Sequence, residues 1–279
     1  GNELDAQIVL GNTGTLELRT GNLREAEGLL HDAYEHERAL AGNSAAVAAV
    51  MGWYGELLSE TNRAGQAVAI LQEASDLAAR YAGASSPVAT QNRLFLGEAQ
   101  LAAGDISGAR ATLIADHESA LAQYGPKQLI TLRSQISLAR LALAQGSAAT
   151  ASATALAAVD GLRELGRRGN PSLADALQTL AEAQLALGRP AEAIRPLREA
   201  ISLRSQYASG AWQLQQARER LGEALDAAHQ PGGSQLLQQA VAGLGAALGA
   251  DHPESARARL ALSRSLAMAA QSGAPPNSR

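Results

Sequence analysis

Cysteine is absent from this 279-residue chain. That excludes a disulfide framework, a thiolate metal site and a cysteine nucleophile, and it leaves the redox compartment open. Aromatic side chains are scarce at 3%, with one Phe and two Trp. Lysine occurs once, at Lys127, and every other basic side chain except His is Arg. Together with an excess of Ala, this points to a GC-rich bacterial source. No apolar run approaches the ~20 residues that a membrane-spanning helix requires, and no signal peptide precedes the first helical pattern. Runs of β-branched residues between turn signals are also missing, which argues against a sheet.

The familiar catalytic signatures are missing too. There is no HExxH, no phosphate-binding GxxxxGK[ST] and no GxSxG elbow. His31 and His36 are five residues apart, a poor spacing for two ligands on one helix face, and they read as solvated positions. The expectation is a non-enzymatic protein with no metal and no cofactor.

What remains is helix-forming material. Hydrophobic residues make up 46% of the chain, and Ala, Leu, Gln, Glu and Arg dominate, which sets an all-α prior. The net charge of -4 does not favour nucleic acid. The charge is unevenly spread. Residues 1–126 hold 16 acidic and 7 basic side chains, and residues 127–279 hold 11 and 16. Either the surface faces drift in composition, or an acidic and a basic end meet different partners.

The pattern is most legible from Ser172 to Arg204. Apolar residues recur at helical spacing to Leu187, then Gly188-Arg189-Pro190 interrupts, and a second helical pattern runs from Ala191 to Leu203. The same phasing recurs along the chain. Small residues fall at Gly14, Gly55, Gly97, Ala139, Ala181, Gly222 and Ser263, spaced 41 or 42 residues apart. A second series lies at Ala26, Ala67, Ala109, Ala151 and Ala193. A third lies at Ala33, Ala74, Ala158 and Ala200, with Asp116 as the exception. Three small-residue series in one phase imply helix pairs that approach closely at the same place in every unit.

The pairs run Asp5–Thr20 with Leu23–Leu40, Ser44–Thr61 with Ala64–Tyr81, Pro87–Ala103 with Ile106–Tyr124, and Lys127–Gln145 with Ala148–Leu165. The fifth pair is Ser172–Arg204, and the sixth is Gly210–His229 with Ser234–Leu248. A last helix, Pro253–Gln271, has no partner, and the tail Ser272–Arg279 is expected to be disordered. Gly and Pro punctuate the joints, as in Gly125-Pro126 and Gly249-Ala-Asp-His-Pro253. Pro196 lies inside a second helix and should kink it.

The period, the Gly14…Ala26…Ala33 spacing, the turns at Gly21 and Gly104 and the Gly249–Pro253 joint resemble tetratricopeptide repeats (TPR) of the ~42-residue, kinesin-light-chain-like type. The family's aromatic packing positions are mostly Leu here. The resemblance implies one right-handed superhelix of about six helix pairs over residues 1–271, closed by a capping helix. It also implies that first helices line a concave groove.

On that reading the groove-facing residues are Asn12, Trp53, Glu56, Phe95, Glu98, Arg133, Arg140, Glu182, Arg220 and Glu223. Trp53 with Glu56 and Phe95 with Glu98 occupy equivalent places, an aromatic beside a carboxylate, suited to a peptide with apolar and basic side chains. The two aromatics fit an inter-helix gap equally well. The Lys and Asn clamp for a peptide C-terminus is not repeated.

The functional expectation is a protein-interaction scaffold. Arrays of this kind resemble the C-terminal regions of bacterial Ser/Thr kinases, so a docking or regulatory part of a larger signalling protein is expected. The alternatives are a self-association module or the sensor of a transcriptional regulator. The start at Gly1, with helical pattern by Asp5, suggests a piece of a longer protein with a catalytic domain or anchor upstream. A cytoplasmic location follows, or a periplasmic one if such an anchor exists.

Overall fold

The computed structural model describes residues 2–207 and 211–271. Among the described residues there are thirteen α-helices: α1 (Asn2–Thr20), α2 (Leu23–Ala41), α3 (Ala45–Glu60), α4 (Ala64–Tyr81), α5 (Pro87–Ala102), α6 (Ile106–Tyr124), α7 (Leu129–Ala144), α8 (Ala148–Glu164), α9 (Asn170–Ala186), α10 (Pro190–Tyr207), α11 (Trp212–Ala227), α12 (Gly233–Leu248) and α13 (Pro253–Gln271). Each helix packs on the next in sequence, and first helices also touch first helices: α3 on α5, α5 on α7, α7 on α9 and α11 on α13. This is an all-α, TPR-like solenoid. The tail expected to be disordered, Ser272–Arg279, lies outside the described residues.

Local signals explain the helix ends. Ser44 and Ser86 accept hydrogen bonds from the backbone N–H of Val47 and Ala89, and Asp105 from Gly108, each satisfying an otherwise orphaned first-turn donor. Pro87 stands in the first turn of α5 and Pro171 in that of α9. Several boundaries shift by a residue or more from the sequence expectation, and two stretches stand out. A short 3-10 turn, Gly166–Gly169, leads directly into α9, so the expected loop at Gly169-Asn-Pro171 is mostly helical. α10 runs from Pro190 to Tyr207 as one element with Pro196 inside it.

The small-residue series has a clear cause. In the first, second, third and sixth pairs a Gly of the first helix faces a Leu of the second. A Cβ at Gly14 would lie 2.8 Å from Cγ of Leu30, and one at Gly222 would lie 2.7 Å from Cγ of Leu237. Gly55 against Leu71 and Gly97 against Leu113 are tighter still. In the fourth pair the central residue is Ala139, and the residue sixteen positions on is Ala155 instead of Leu. Volume is thus traded across the interface, as close packing requires. The second series, Ala26 to Ala193, is fully buried.

Asp116 occupies the Ala column of the third pair and is also fully buried. The Arg93 Nε lies 3.5 Å from its carboxylate, but neither oxygen has a hydrogen-bond partner. Burial pushes its pKa up to about 7, with Arg93 opposing.

The array completes a turn and meets itself. Trp212 of α11 and Leu248 of α12 pack on a core of Leu18, Leu23, Ala26, Leu30 and Leu57 from the first three helices. At the α1–α2 turn, Gly21 has φ +88, and a Cβ there would lie 2.6 Å from Cα of Ala211. The carboxylate of Glu60, the last residue of α3, accepts hydrogen bonds from Trp212 Nε1 (3.2 Å) and Gln213 Nε2 (3.1 Å). The C-terminal edge of first helices near one end of the array thus sits on the N-terminal edge of first helices near the other.

Candidate functional site

The inner face is built by one column of each first helix, and the closure turns it toward a common interior. The carboxylate of Asp175 on α9 is near enough to raise the pKa of Arg19 on α1, of Glu56 and Glu60 on α3 and of Arg140 on α7. Along this face, adjacent repeats are joined by charge pairs. Arg19 lies 3.4 Å from Glu56, Arg140 2.9 Å from Glu98, Arg220 3.1 Å from Glu182 and Arg257 3.0 Å from Glu223. Ser137 adds a hydroxyl donor to Glu98 at 2.6 Å. The spacing that puts the column on one helix face also puts successive members within reach across repeats.

Most of the sequence-predicted residues belong to this ladder: Glu56, Glu98, Arg140, Glu182, Arg220 and Glu223. Asn12 is exposed on α1 and takes no part in it. Phe95 is different. It is 2% exposed and fills a core with Leu58, Ala67, Leu71, Leu96 and Ala99, so of the two uses left open by the sequence, the structure seats it as a packing side chain. Trp53 is half-buried, with its ring centroid 5.3 Å from that of Phe95. Two cations cover the pair: the Arg19 guanidinium is 4.9 Å from the Trp53 ring and that of Arg133 is 5.8 Å from Phe95, a favourable placement over a π face.

The densest charge cluster is in the sixth repeat. Arg220, 9% exposed at its side chain, lies 2.6 Å from Glu219, 3.1 Å from Glu182, and 3.8 Å from both Glu223 and Glu254. Arg257 adds contacts to Glu219 and Glu223. Two cations therefore face four carboxylates. Burial pushes Glu219 up to about 7, and nearby Glu223 and Glu254 add to the rise against Arg220. Glu223 is raised for the same first cause. The sequence columns pointed to Arg220 and Glu223. They did not point to Glu219 or Glu254, which lie off the column and join only because neighbouring repeats converge.

Beside this cluster a cleft of about 530 Å³ opens among α9, α11, α12 and α13. Leu185, Ala261 and Met268 give it an apolar floor, and Glu182, Glu223, Arg257 and Arg264 give it a charged rim. Arg264 and Met268 are exposed. Mixed apolar and charged walls of this kind suit an extended or helical polypeptide segment. Among the described residues, no group of three His, Asp or Glu is placed to hold a metal ion, and no helix is long and apolar enough to cross a membrane. His31 and His36 are exposed on α2, as the spacing suggested.

No protein-family model and no curated protein matches this chain. Solved structures do. A Rap conjugation gene regulator of the plasmid pLS20, in complex with the Phr* peptide, superposes with a TM-score of 0.72 at 15% identity, covering 96% of this chain and 76% of that one. A Rap protein complexed with Competence and Sporulation Factor gives 0.65 at 13% identity, covering 93% and 74%. The kinesin light chain TPR-like repeats of Podosopora anserina give 0.53 at 21% identity, covering 70% and 93%. The likeness is one of fold: a TPR-type helix-pair array.

Proposed function

We propose that this chain is a protein-interaction scaffold that holds a peptide or protein segment on its inner face and carries out no chemistry itself. The observation behind this reading is the 530 Å³ cleft with its apolar floor and its two-signed rim. A segment of mixed apolar and charged side chains would seat its apolar groups on Ala261 and Met268. Its charged groups would engage Arg257, Arg264, Glu182 and Glu223. The half-buried Trp53, with Arg19 over its ring, and the Glu98–Arg140 pair would extend the track. Two of the proteins similar in fold are described in complex with a peptide or factor, which lends support.

The wider setting we propose is the docking or regulatory region of a larger cytoplasmic bacterial signalling protein, such as a Ser/Thr kinase. The support for that setting is the resemblance of the 42-residue repeats. The test begins with selection of binders from a displayed peptide library on the immobilised chain, followed by calorimetry. Arg264→Glu combined with Met268→Asp alters two exposed positions and should weaken the selected peptides at least about tenfold, the loss of roughly 1.4 kcal/mol, with the thermal melt unchanged. Full affinity in that variant would remove the cleft as the site.

A second reading, self-association through the ends of the array, is favoured by the exposed Val9 and Leu16 on α1 and Leu260 and Leu266 on α13. A sedimentation coefficient independent of concentration would end it.

A further inference from the structure

The last helix of the array lacks the cover that every other first helix has. In all six complete pairs the central small residue, from Gly14 to Gly222, is buried. In four of them the second helix sets a Leu against it. The flanking positions are covered in the same way. Leu94, three residues before Gly97, shares a core with Ala109 and Leu113 of α6. Leu58, three residues after Gly55, shares one with Ala67 and Leu71 of α4. α13 packs on α11 and α12, and no second helix follows it among the described residues. Its equivalents of these positions, Leu260, Ser263 and Leu266, are all exposed, Leu260 to 52% and Leu266 to 45%. So is Ala256, although the residues at its place in the second to sixth pairs are all buried.

The array itself shows what such a face takes. A small residue at Ser263 leaves room for an incoming apolar side chain, as Ala181 does for Leu197 in the fifth pair. Arg259, four residues before Ser263 and exposed, sets the charge. Its counterpart in the third pair is Arg93, whose Nε lies 3.5 Å from the Asp116 carboxylate that α6 supplies. Its counterpart in the sixth pair is Arg218. There α12 carries no charged residue, and Arg218 turns to Gln215 on its own helix at 2.9 Å. At the place of Gln215, α13 has Ala256, so Arg259 lacks that local acceptor. A cation in this column is answered by an acid of the covering helix or by a neighbour on its own helix, and α13 leaves only the first.

We propose that the bare face of α13 docks an acidic amphipathic helix of a partner protein, which takes the place of a second helix and completes a seventh pair. An apolar side chain of the partner seats on Ser263 between Leu260 and Leu266, and a carboxylate three residues further along pairs with Arg259. That is the Leu113 and Asp116 arrangement of α6, supplied by another chain. A second copy of this protein is a poor occupant. From Ser255 to Gln271 the chain has three Arg and no acidic residue, so α13 against α13 would bring like charges together. The face is also separate from the cleft, whose Arg257, Ala261 and Met268 project from the other side of the helix.

The chain supplies its own probe. A fluorescein-labelled synthetic peptide of residues 105–124 carries the α6 column, with Leu113 for the apolar seat and Asp116 for Arg259. It should bind the whole chain with a saturable rise in anisotropy. Arg259→Glu, at an exposed position, should weaken it at least about tenfold with the thermal melt unchanged. A peptide carrying Asp116→Arg should reverse the order and prefer the Arg259→Glu chain to the parent. Met268→Asp, in the cleft, should leave binding of the peptide as it is. Four results overturn the docking face. The peptide does not bind. Its binding is indifferent to Arg259→Glu, which would mean that it exchanges with α6 in the third pair. Its binding is lost in Met268→Asp, which would place it in the cleft. Or the parent dimerises in sedimentation and Leu260→Glu makes it monomeric, which would make a second copy the occupant.

Discussion

At the residue scale, the informative positions are those that break a column. Asp116 stands where every other complete pair has Ala, and it is buried with two unsatisfied oxygens beside a single Arg. Its folded pKa is raised, so it opposes folding increasingly as pH climbs from the ordinary carboxylate range to about 7. Asp116→Ala should therefore raise the melting temperature by a few degrees near neutral pH, on the order of 1–2 kcal/mol. The gain should shrink toward pH 4, and calorimetric scans across that range check both parts.

Gly52 breaks pattern in the other direction. It leaves room for the buried Asn92, which donates to the carbonyls of Ala48 (2.8 Å) and Ala74 (3.1 Å) and so ties α3, α4 and α5 together. A Cβ at Gly52 would overlap the Asn92 side-chain oxygen. Gly52→Ala should destabilise by about 2–3 kcal/mol, read as a lower denaturation midpoint with unchanged slope. No feature of the sequence period marks Asn92, because its partners come from two other helices.

At the element scale, α10 carries Pro196 in its interior, where the ring removes a helical donor and crowds the carbonyl four residues earlier. The helix persists because Ala193, Ile194, Leu197 and Ala200 bury its inner face. Tertiary burial outweighs local propensity there, as it commonly does. Pro196→Ala should stabilise by about 1–3 kcal/mol, seen as a higher thermal midpoint. The helix existences, and most boundaries to within a few residues, were legible in the sequence because caps, Gly joints and apolar spacing are local signals. The run from α8 into α9 was less legible: Gly169-Asn-Pro171 reads as a break, yet the chain bridges it with a 3-10 turn.

At the scale of the whole molecule, closure reshapes the inner face. The charge pairs Arg19 with Glu56 and Arg220 with Glu182 each fall within one half of the chain and leave the uneven charge of the two halves in place. Trp212, which no repeat column singled out, joins the two ends through its indole. Trp212→Ala should expand the molecule in solution scattering while far-ultraviolet dichroism stays constant. An unchanged radius of gyration would mean that the contact at α11 does not hold the array closed.

The sequence by itself determined the helix pairs and their 41–42-residue period, because each rests on spacing along one helix and on side-chain volume between neighbours. Only the tertiary structure decided that Phe95 is core, that the column's charges spend themselves on one another across repeats, and that Glu60 and Trp212 meet. Those outcomes depend on the small rotation between successive pairs. Summed over six pairs, that rotation decides whether the ends of the array miss or touch, and no single repeat encodes it.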